Sequence, residues 1–166
     1  MKREIFKAKR TDTGEWVKGY YCKKKSGYYD MGVFHESYKD CIIVLFSDGG
    51  IIWHEVDPST ICPYTGLTDR NGKEIWENDI VRRTDLHNVK EPSVGFIEYD
   101  MENTAFLIHW IDVVNYSATY PWKERIEVIG NIFDNPELLE AVWNMMDRED
   151  VKKVLQNLQT RPFIDW

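Results

Sequence analysis

The chain has 166 residues, of which 43% are hydrophobic, 30% charged and 14% aromatic. These values exclude a wholly disordered chain, and the length predicts one domain with an appendage. No stretch approaches the run of about 18 apolar residues that a membrane span needs, and the N-terminus lacks the apolar segment of a signal peptide. We therefore expect a cytoplasmic protein that makes no membrane contact.

Charge and cysteines narrow the class further. The net charge is −7, yet bases clearly outnumber acids in residues 1–25. An acidic remainder repels nucleic acid at long range, whereas the basic N-terminal part could contact phosphate. Cys22, Cys41 and Cys62 form no C-x-x-C pair, which indicates reduced thiols in a cytoplasm.

The first half of the chain predicts two β-hairpins. Residues 3–10 and 16–22 read as strands around the turn at 12–15, and residues 23–27 read as a polar turn. Residues 28–40 show no clear pattern. Residues 41–46 and 51–56 are apolar, rich in β-branched types and joined through Gly49 and Gly50, so they predict the second hairpin.

Further strands follow in the second half. Asn71-Gly72 predicts a tight turn with positive φ, and residues 85–93 predict a loop. Residues 111–125 show no assignable pattern. The remaining pattern predicts consecutive strands of a small, partly open, SH3-like barrel, at residues 79–83, 94–99, 104–110 and 126–130.

The pattern becomes helical after Asn135 and Pro136, which are typical of a helix start. Apolar residues then recur with helical period, and a second helix is predicted over residues 149–159. The sequence thus predicts a β domain at 1–135 and a helical extension at 136–166. The apolar stripe could cover the barrel or contact a partner or a second copy, and it comprises Leu139, Val142, Trp143 and Met146.

Several short motifs are spread along the chain. They are Arg3-Glu4-Ile5-Phe6-Lys7-Ala8, Trp16-Val17-Lys18-Gly19-Tyr20, Tyr64-Thr65-Gly66-Leu67 with Asp69, Asn71-Gly72 and Asp79-Ile80-Val81, and Val128-Ile129-Gly130-Asn131-Ile132-Phe133 with Asn135-Pro136-Glu137-Leu138-Leu139. Together they resemble the YopX family of proteins encoded by phages and prophages. The likeness covers nearly all of residues 3–139, and one departure is Asn78, where the family usually has glycine before Asp-Ile-Val. Asn tolerates positive φ, so we expect the turn to survive. The resemblance implies a mainly β fold and a mobile-element origin, and it implies no catalytic residue.

Candidate metal and catalytic residues lack the spacing that such sites need. No two of His35, His54, His87, His109 and the cysteines have the close spacing typical of zinc ligands, so we expect no metal and no cofactor. Acid–base candidates are Asp69, Asp79, Glu98 and Asp100.

For Asp79 the simpler interpretation is hydrogen bonding to backbone amides in a turn. A hydrolase that uses Asp79 with His87 stays as an alternative. A nucleophilic cysteine is disfavoured because Cys41 begins an apolar run.

The central motif has two interpretations. It could serve only to fix backbone turns, or it could form a ligand or protein contact with an exposed Trp76 as anchor, although Trp76 could equally lie in the core. The candidate binding residues are Tyr64, Thr65, Asp69, Trp76 and Asp79.

We therefore expect a non-enzymatic accessory protein that binds another macromolecule, with a protein partner or a homo-oligomer favoured. The alternative is a protein that binds single-stranded nucleic acid through the basic N-terminal strands. Their aromatic residues could stack on bases, and they are Tyr20, Tyr21, Tyr28 and Tyr29.

Overall fold

The computed structural model describes residues 5–84, 93–111, 115–118 and 124–143. These residues form a mainly β fold with two antiparallel sheets and one short α-helix, as the sequence predicts. They divide into two compact units, one ending at Pro63 and the other beginning at Tyr64. The domain boundary predicted between residues 135 and 136 stays a prediction.

The first unit is an antiparallel sheet that begins with the two predicted hairpins. Its strands lie in the order β4-β3-β2-β1, and the first residues of β5 pair with β1. Side chains of one sheet face form a core of Phe6, Ala8, Ile42, Val56 and Ile61. The strands are β1 (Phe6–Lys9), β2 (Trp16–Asp30), β3 (Val33–Leu45), β4 (Ile51–Glu55) and β5 (Cys62–Thr68).

A long hairpin arm, residues 23–40, corrects the turn predicted at residues 23–27. Strands β2 and β3 stay paired without interruption from Tyr20 and Ile43 to Asp30 and Val33. Neither β1 nor β4 pairs with residues 23–39, so the arm is a two-stranded ribbon. Its residues are almost all exposed. Since neither face is covered, the arm lacks the apolar alternation by which strands are recognised.

The second unit contains a five-stranded sheet with the order β10-β9-β8-β7-β11. The predicted strands at 79–83, 94–99, 104–110 and 126–130 are confirmed within one residue, and β10 falls where no strand was predicted. The sheet is open rather than a closed barrel. Its strands are β7 (Asp79–Arg83), β8 (Val94–Asp100), β9 (Ala105–Trp110), β10 (Asn115–Ala118) and β11 (Ile126–Asn131), and a short β6 (Glu74–Trp76) pairs with β5.

Both faces of this sheet are covered. Val81 and Ile97 belong to one buried cluster with Ile75, while Ile80 and Phe96 belong to another. Neighbouring residues of a strand point to opposite faces, so the alternation places one cluster on each side of the sheet. The adjacent buried apolar residues Ile80-Val81 of β7 and Phe96-Ile97 of β8 follow from this double burial.

The α-helix α1 (Glu137–Trp143) begins directly after Asn135 and Pro136, which confirms the predicted start. Leu138 and Leu139 donate backbone hydrogen bonds to the carbonyls of Asn135 and Pro136 at 3.1 and 3.0 Å. The predicted second helix at 149–159, and most of the predicted loop at 85–93, lie outside the described residues. No helix in the described part of the chain, including α1, is long and apolar enough to cross a membrane.

Candidate functional site

The first turn of the central motif is organised by Asp69, which is only 5% exposed. Its Oδ1 accepts hydrogen bonds from the backbone N–H groups of Asn71 and Lys73 at 2.8 and 2.9 Å. Its Oδ2 accepts one from Val128 of β11 at 2.9 Å. Gly72 has φ +82°, the positive value expected from Asn71-Gly72. The carboxylate therefore joins the turn to a distant strand through three backbone donors.

A second turn joins β6 to β7. The buried Asp79 carboxylate accepts the backbone N–H of Trp76 at 2.9 Å, the turn role that its position predicted. Asn78 has φ +65°, so asparagine does occupy the left-handed conformation that glycine was expected to supply. The Asn78 backbone donates to Ile97 at 2.8 Å and accepts from Ile132 at 3.0 Å. This turn is thereby tied to β8 and to the segment after β11.

The remaining motif residues pack around β5 and β6. Trp76 is 2% exposed, so its ring lies in the interior and the alternative of an exposed anchor is wrong. Tyr64 packs on Trp76 with ring centroids 4.9 Å apart, and Thr65 donates its hydroxyl to the carbonyl of Ile75 at 2.7 Å. These contacts fix backbone geometry. A binding role for the half-buried Tyr64 and Thr65 stays a prediction.

The start of the helical stripe packs inside the second unit. Leu139 is fully buried with Ile80, Val94, Phe96 and Ile111. Leu139 therefore packs within its own chain, which is one of the two alternatives predicted for the apolar stripe. The side chains of Val142 and Trp143, and all of Met146, lie outside the described part, so their role in assembly stays a prediction.

Within the described residues, the candidate acid–base groups form no assembled catalytic site. Asp79 lies in its turn, and His87 lies outside the described part. His109 Nδ1 is 3.8 Å from Glu98 Oε2, and both side chains are largely buried. Asp100 holds an exposed turn, where hydrogen bonds from Asn103 are the main cause that lowers the pKa of its carboxyl group.

The thiols are also poorly suited to nucleophilic chemistry. Cys22 and Cys41 are directly opposite each other on β2 and β3. Burial is the main cause that raises the pKa of both thiols, with smaller contributions from nearby negative groups. A raised pKa lowers the thiolate fraction at neutral pH, and the thiolate is the nucleophile. In the ranges that the structure describes, no three of His, Cys, Asp and Glu lie together as a metal-binding group.

The sequence did not reveal a strongly exposed apolar surface of the described residues, which lies at the end of the hairpin arm. Met31 is 99% exposed and Tyr29 is 76% exposed, and Tyr28, Val33 and Phe34 are exposed beside them. At this end Met31 (φ +47°) and Gly32 (φ +82°) form a two-residue turn between the paired Asp30 and Val33.

Ring contacts across the two strands order this end further. The rings of Tyr28 and His35 stack with centroids 5.1 Å apart on one face of the arm. Tyr29 and Phe34 contact at 5.1 Å on the other face. A Cβ added to Gly27 would lie 2.3 Å from the Phe34 ring, so the ring covers the glycine closely. We call the exposed set Tyr28, Tyr29, Met31, Val33 and Phe34 the arm tip.

The four tyrosines proposed to stack on bases do not share one surface. Side chains alternate along β2, so Tyr20 and Tyr28 point to one face and Tyr21 and Tyr29 to the other. Tyr21 packs on Phe6 of the core at 5.8 Å and donates its hydroxyl to Asp40 at 2.5 Å. Tyr21 is thus a core residue, and a stacking surface that includes all four rings is excluded.

Comparison with known proteins agrees with the resemblance seen in the motifs. The pattern of the YopX protein family matches residues 6–140. The crystal structure of protein EF1440 from Enterococcus faecalis is similar, with a TM-score of 0.44 and 25% sequence identity over 82% of this chain and 97% of that chain. No curated protein matches the chain significantly. Because the family match extends over most of the 166 residues, the chain belongs to the YopX family.

Proposed function

We propose that this protein is a non-enzymatic accessory protein of a phage or prophage, which acts in the host cytoplasm by binding another protein through the arm tip. The observation that carries the proposal is the exposure of Tyr28, Tyr29 and Met31 at the end of a defined hairpin. Contiguous exposed apolar groups mark interaction sites. Aromatic residues and methionine are the types enriched at such interfaces.

The conformation of Met31 gives further support. A non-glycine residue at positive φ costs roughly 1–2 kcal/mol unless it is asparagine or aspartate. Asn-Gly is the favoured pair for this two-residue turn, yet the chain has Met-Gly there. A methionine kept at an unfavourable φ, with its whole side chain in solvent, contributes little to the fold. A binding role would account for its presence.

Absence of enzymatic activity is part of the proposal. The buried carboxylates Asp69 and Asp79 accept hydrogen bonds from backbone amides, as turn-forming groups do. A hydrolase built on Asp79 and His87 is the less favoured alternative, because the Asp79 carboxylate is held inside a turn. For the second unit we infer an SH3-like relationship, which consecutive antiparallel strands from β7 to β11 support.

The test compares proteins captured by the full chain and by the variant Tyr29→Ser/Met31→Asn from host lysate. We expect a protein that the wild type captures and the variant loses, and we expect the control Met101→Asn to capture it. Met101 is a second exposed methionine, 56% accessible, in the turn between β8 and β9. Light scattering of the same three proteins shows whether the partner is a second copy.

Two results would contradict the proposal. One is equal capture by the wild type and the arm variant, which would place the contact elsewhere. The other is a wild type that captures nothing above background and remains a monomer. Binding of single-stranded nucleic acid, the remaining alternative, is favoured by a different set of residues in the first unit.

A further inference from the structure

One face of the first unit's sheet collects lysines, although the whole chain is acidic. Residues opposite each other on neighbouring strands share a face, and Lys9 is opposite Trp16, Lys24 opposite Lys39, and Tyr20 opposite Ile43. Ile43 is in turn opposite Trp53 of β4. The alternation adds Lys18 to this face. We call it the lysine face and define it by Lys9, Lys18, Tyr20, Lys24, Lys39 and Trp53.

The charge of the lysine face is localised rather than a result of composition. The chain carries −7 overall, whereas the acids that alternation places on this face are Glu55 and Asp30. The opposite face of the same strands carries Lys23 and Lys25, which Glu36 and Asp40 balance in number. The opposite face also packs the apolar core through Ile42. Net positive charge is therefore concentrated on the face that carries the exposed Lys18, Lys24 and Lys39.

Aromatic rings lie between these lysines. The Lys24 ammonium lies 5.4 Å from the centre of the Trp53 ring, and Lys9 lies 5.6 Å from that of Trp16. Trp53 is 45% exposed, and Lys18, Lys24 and Lys39 are exposed. Lys39 contacts Glu55 at 2.5 Å, so it would have to exchange that carboxylate for another anion. Lys18 and Lys24 are candidates for anion contacts because both are exposed on this face.

Cations with aromatic rings between them match the chemistry of single-stranded nucleic acid. Lysines neutralise phosphates, and unpaired bases stack on aromatic side chains. Duplex DNA offers no unstacked base faces and carries a denser charge, so the acidic remainder of the chain would disfavour it. We propose that the lysine face binds single-stranded nucleic acid. Trp53 and Tyr20 stack on bases there, while Lys18 and Lys24 contact phosphates.

Binding would use the existing contact between Lys24 and Trp53. The ammonium at 5.4 Å keeps a positive charge beside the ring that receives a base. When a base stacks on Trp53, Lys24 moves to the adjacent phosphate. The base then takes the place of the Lys24 ammonium on the Trp53 ring. The lysine face shares none of its defining residues with the arm tip. Binding of single strands here is therefore independent of protein binding at the arm tip.

The experiment titrates the full chain into labelled oligonucleotides of about 16 nucleotides, a length that one such surface can cover, and follows anisotropy. Single-stranded DNA and RNA are compared with duplex DNA of the same length. With the two phosphate contacts of Lys18 and Lys24, the affinity for single strands should fall roughly sevenfold between about 50 mM and about 200 mM salt. Quenching of the protein's tryptophan fluorescence on binding should accompany the signal.

Neighbouring lysines supply a matched pair of variants. Lys24→Gln should weaken single-strand binding several-fold and lower the salt dependence by about one phosphate contact. Lys23→Gln removes the same charge from the opposite face of the same strand and should leave both unchanged. Trp53→Ala should weaken binding about 10-fold, and Trp53→Phe should retain most of it because a ring remains. Met31→Asn should have no effect.

Several outcomes would overturn the proposal. A flat titration with single strands at about 50 mM salt would exclude the site, since electrostatic contacts are strongest there. If Lys23→Gln and Lys24→Gln weaken single-strand binding equally, binding reflects the general positive charge of the strand and not a site on the lysine face. Displacement of the oligonucleotide by polyglutamate as readily as by unlabelled single strands would make the lysine face a site for acidic protein segments. Circular dichroism of each variant verifies that the fold is retained.

Discussion

At the residue scale, Asp69 ties a local turn to a distant strand. The buried carboxylate accepts N–H groups from Asn71, Lys73 and Val128. Replacing Asp69 with alanine leaves buried donors without their acceptor, and we expect the free energy of unfolding to fall by about 3 kcal/mol. Asp69→Asn retains one carbonyl oxygen and should lose less. Urea unfolding measures the loss as a lower midpoint with an unchanged slope.

Asp100 is a control for Asp69, because its carboxylate accepts a similar number of hydrogen bonds but lies in an exposed turn. Its carboxylate accepts the backbone N–H groups of Glu102 and Asn103 and the side-chain amide of Asn103 at 2.8 to 3.0 Å, all in an exposed turn. Water can replace these bonds, so Asp100→Ala should destabilise the protein much less than Asp69→Ala. Equal losses would show that burial does not determine the contribution of Asp69.

At the element scale, the turn of the hairpin arm predicts an unusual gain of stability. Met31 has φ +47°, a conformation that asparagine adopts at lower cost. Met31→Asn should therefore stabilise the arm by about 1 kcal/mol and slow amide exchange in residues 23–40 about fivefold. The same substitution should abolish partner binding. A variant that is more stable and yet inactive would separate the role of Met31 in binding from any role in folding.

Met101→Asn is the matched control for stability. Met101 is exposed in a turn, and it is not among the described non-glycine residues with positive φ. Its replacement removes an exposed methionine without relieving backbone strain, so exchange in the turn between β8 and β9 should stay unchanged. Faster exchange across the arm in Met31→Asn would contradict the strain argument.

The sequence predicted the elements whose side chains are sorted by burial. Strands β7, β8 and β11 are bounded by turn residues and carry buried β-branched side chains, so their limits were close to those observed. The arm was missed because its two exposed faces remove that signal. Lys23-Lys24-Lys25 followed by Ser26-Gly27 has the composition of a turn, although pairing with β3 keeps these residues extended.

At the candidate sites too, roles that follow from local sequence were predicted and roles that depend on strand register were not. The turn roles of Asp79 and Asn78 follow from residue type and local spacing, and they were predicted. The lysine face depends on the register between strands distant in sequence, since Trp53 reaches it only through its pairing with Ile43. No local pattern contains that register. The separation of Tyr20 from Tyr21 follows from a period of two within the strand predicted at 16–22, whereas that of Tyr28 from Tyr29 requires β2 to be recognised beyond Cys22.

At the scale of the whole molecule, each compact unit has its own buried cluster. Ile42 is fully buried in the cluster of the first unit and Ile80 in one of the two clusters of the second. Conversion of either residue to valine removes one methylene and should cost about 1 kcal/mol. Because the two clusters share no residue, we expect each substitution to act mainly in its own unit.

Hydrogen exchange measured by mass spectrometry tests this expectation with the two variants as mutual controls. Ile42→Val should speed exchange about fivefold in peptides of residues 5–63, and Ile80→Val should do so in peptides from Tyr64 onward. The substitutions are identical in volume and burial, so a difference in location reflects the division of the chain. If either variant speeds exchange equally in all peptides, the two units unfold as one cooperative body, and stability in the second unit would then also set the lifetime of the hairpin arm.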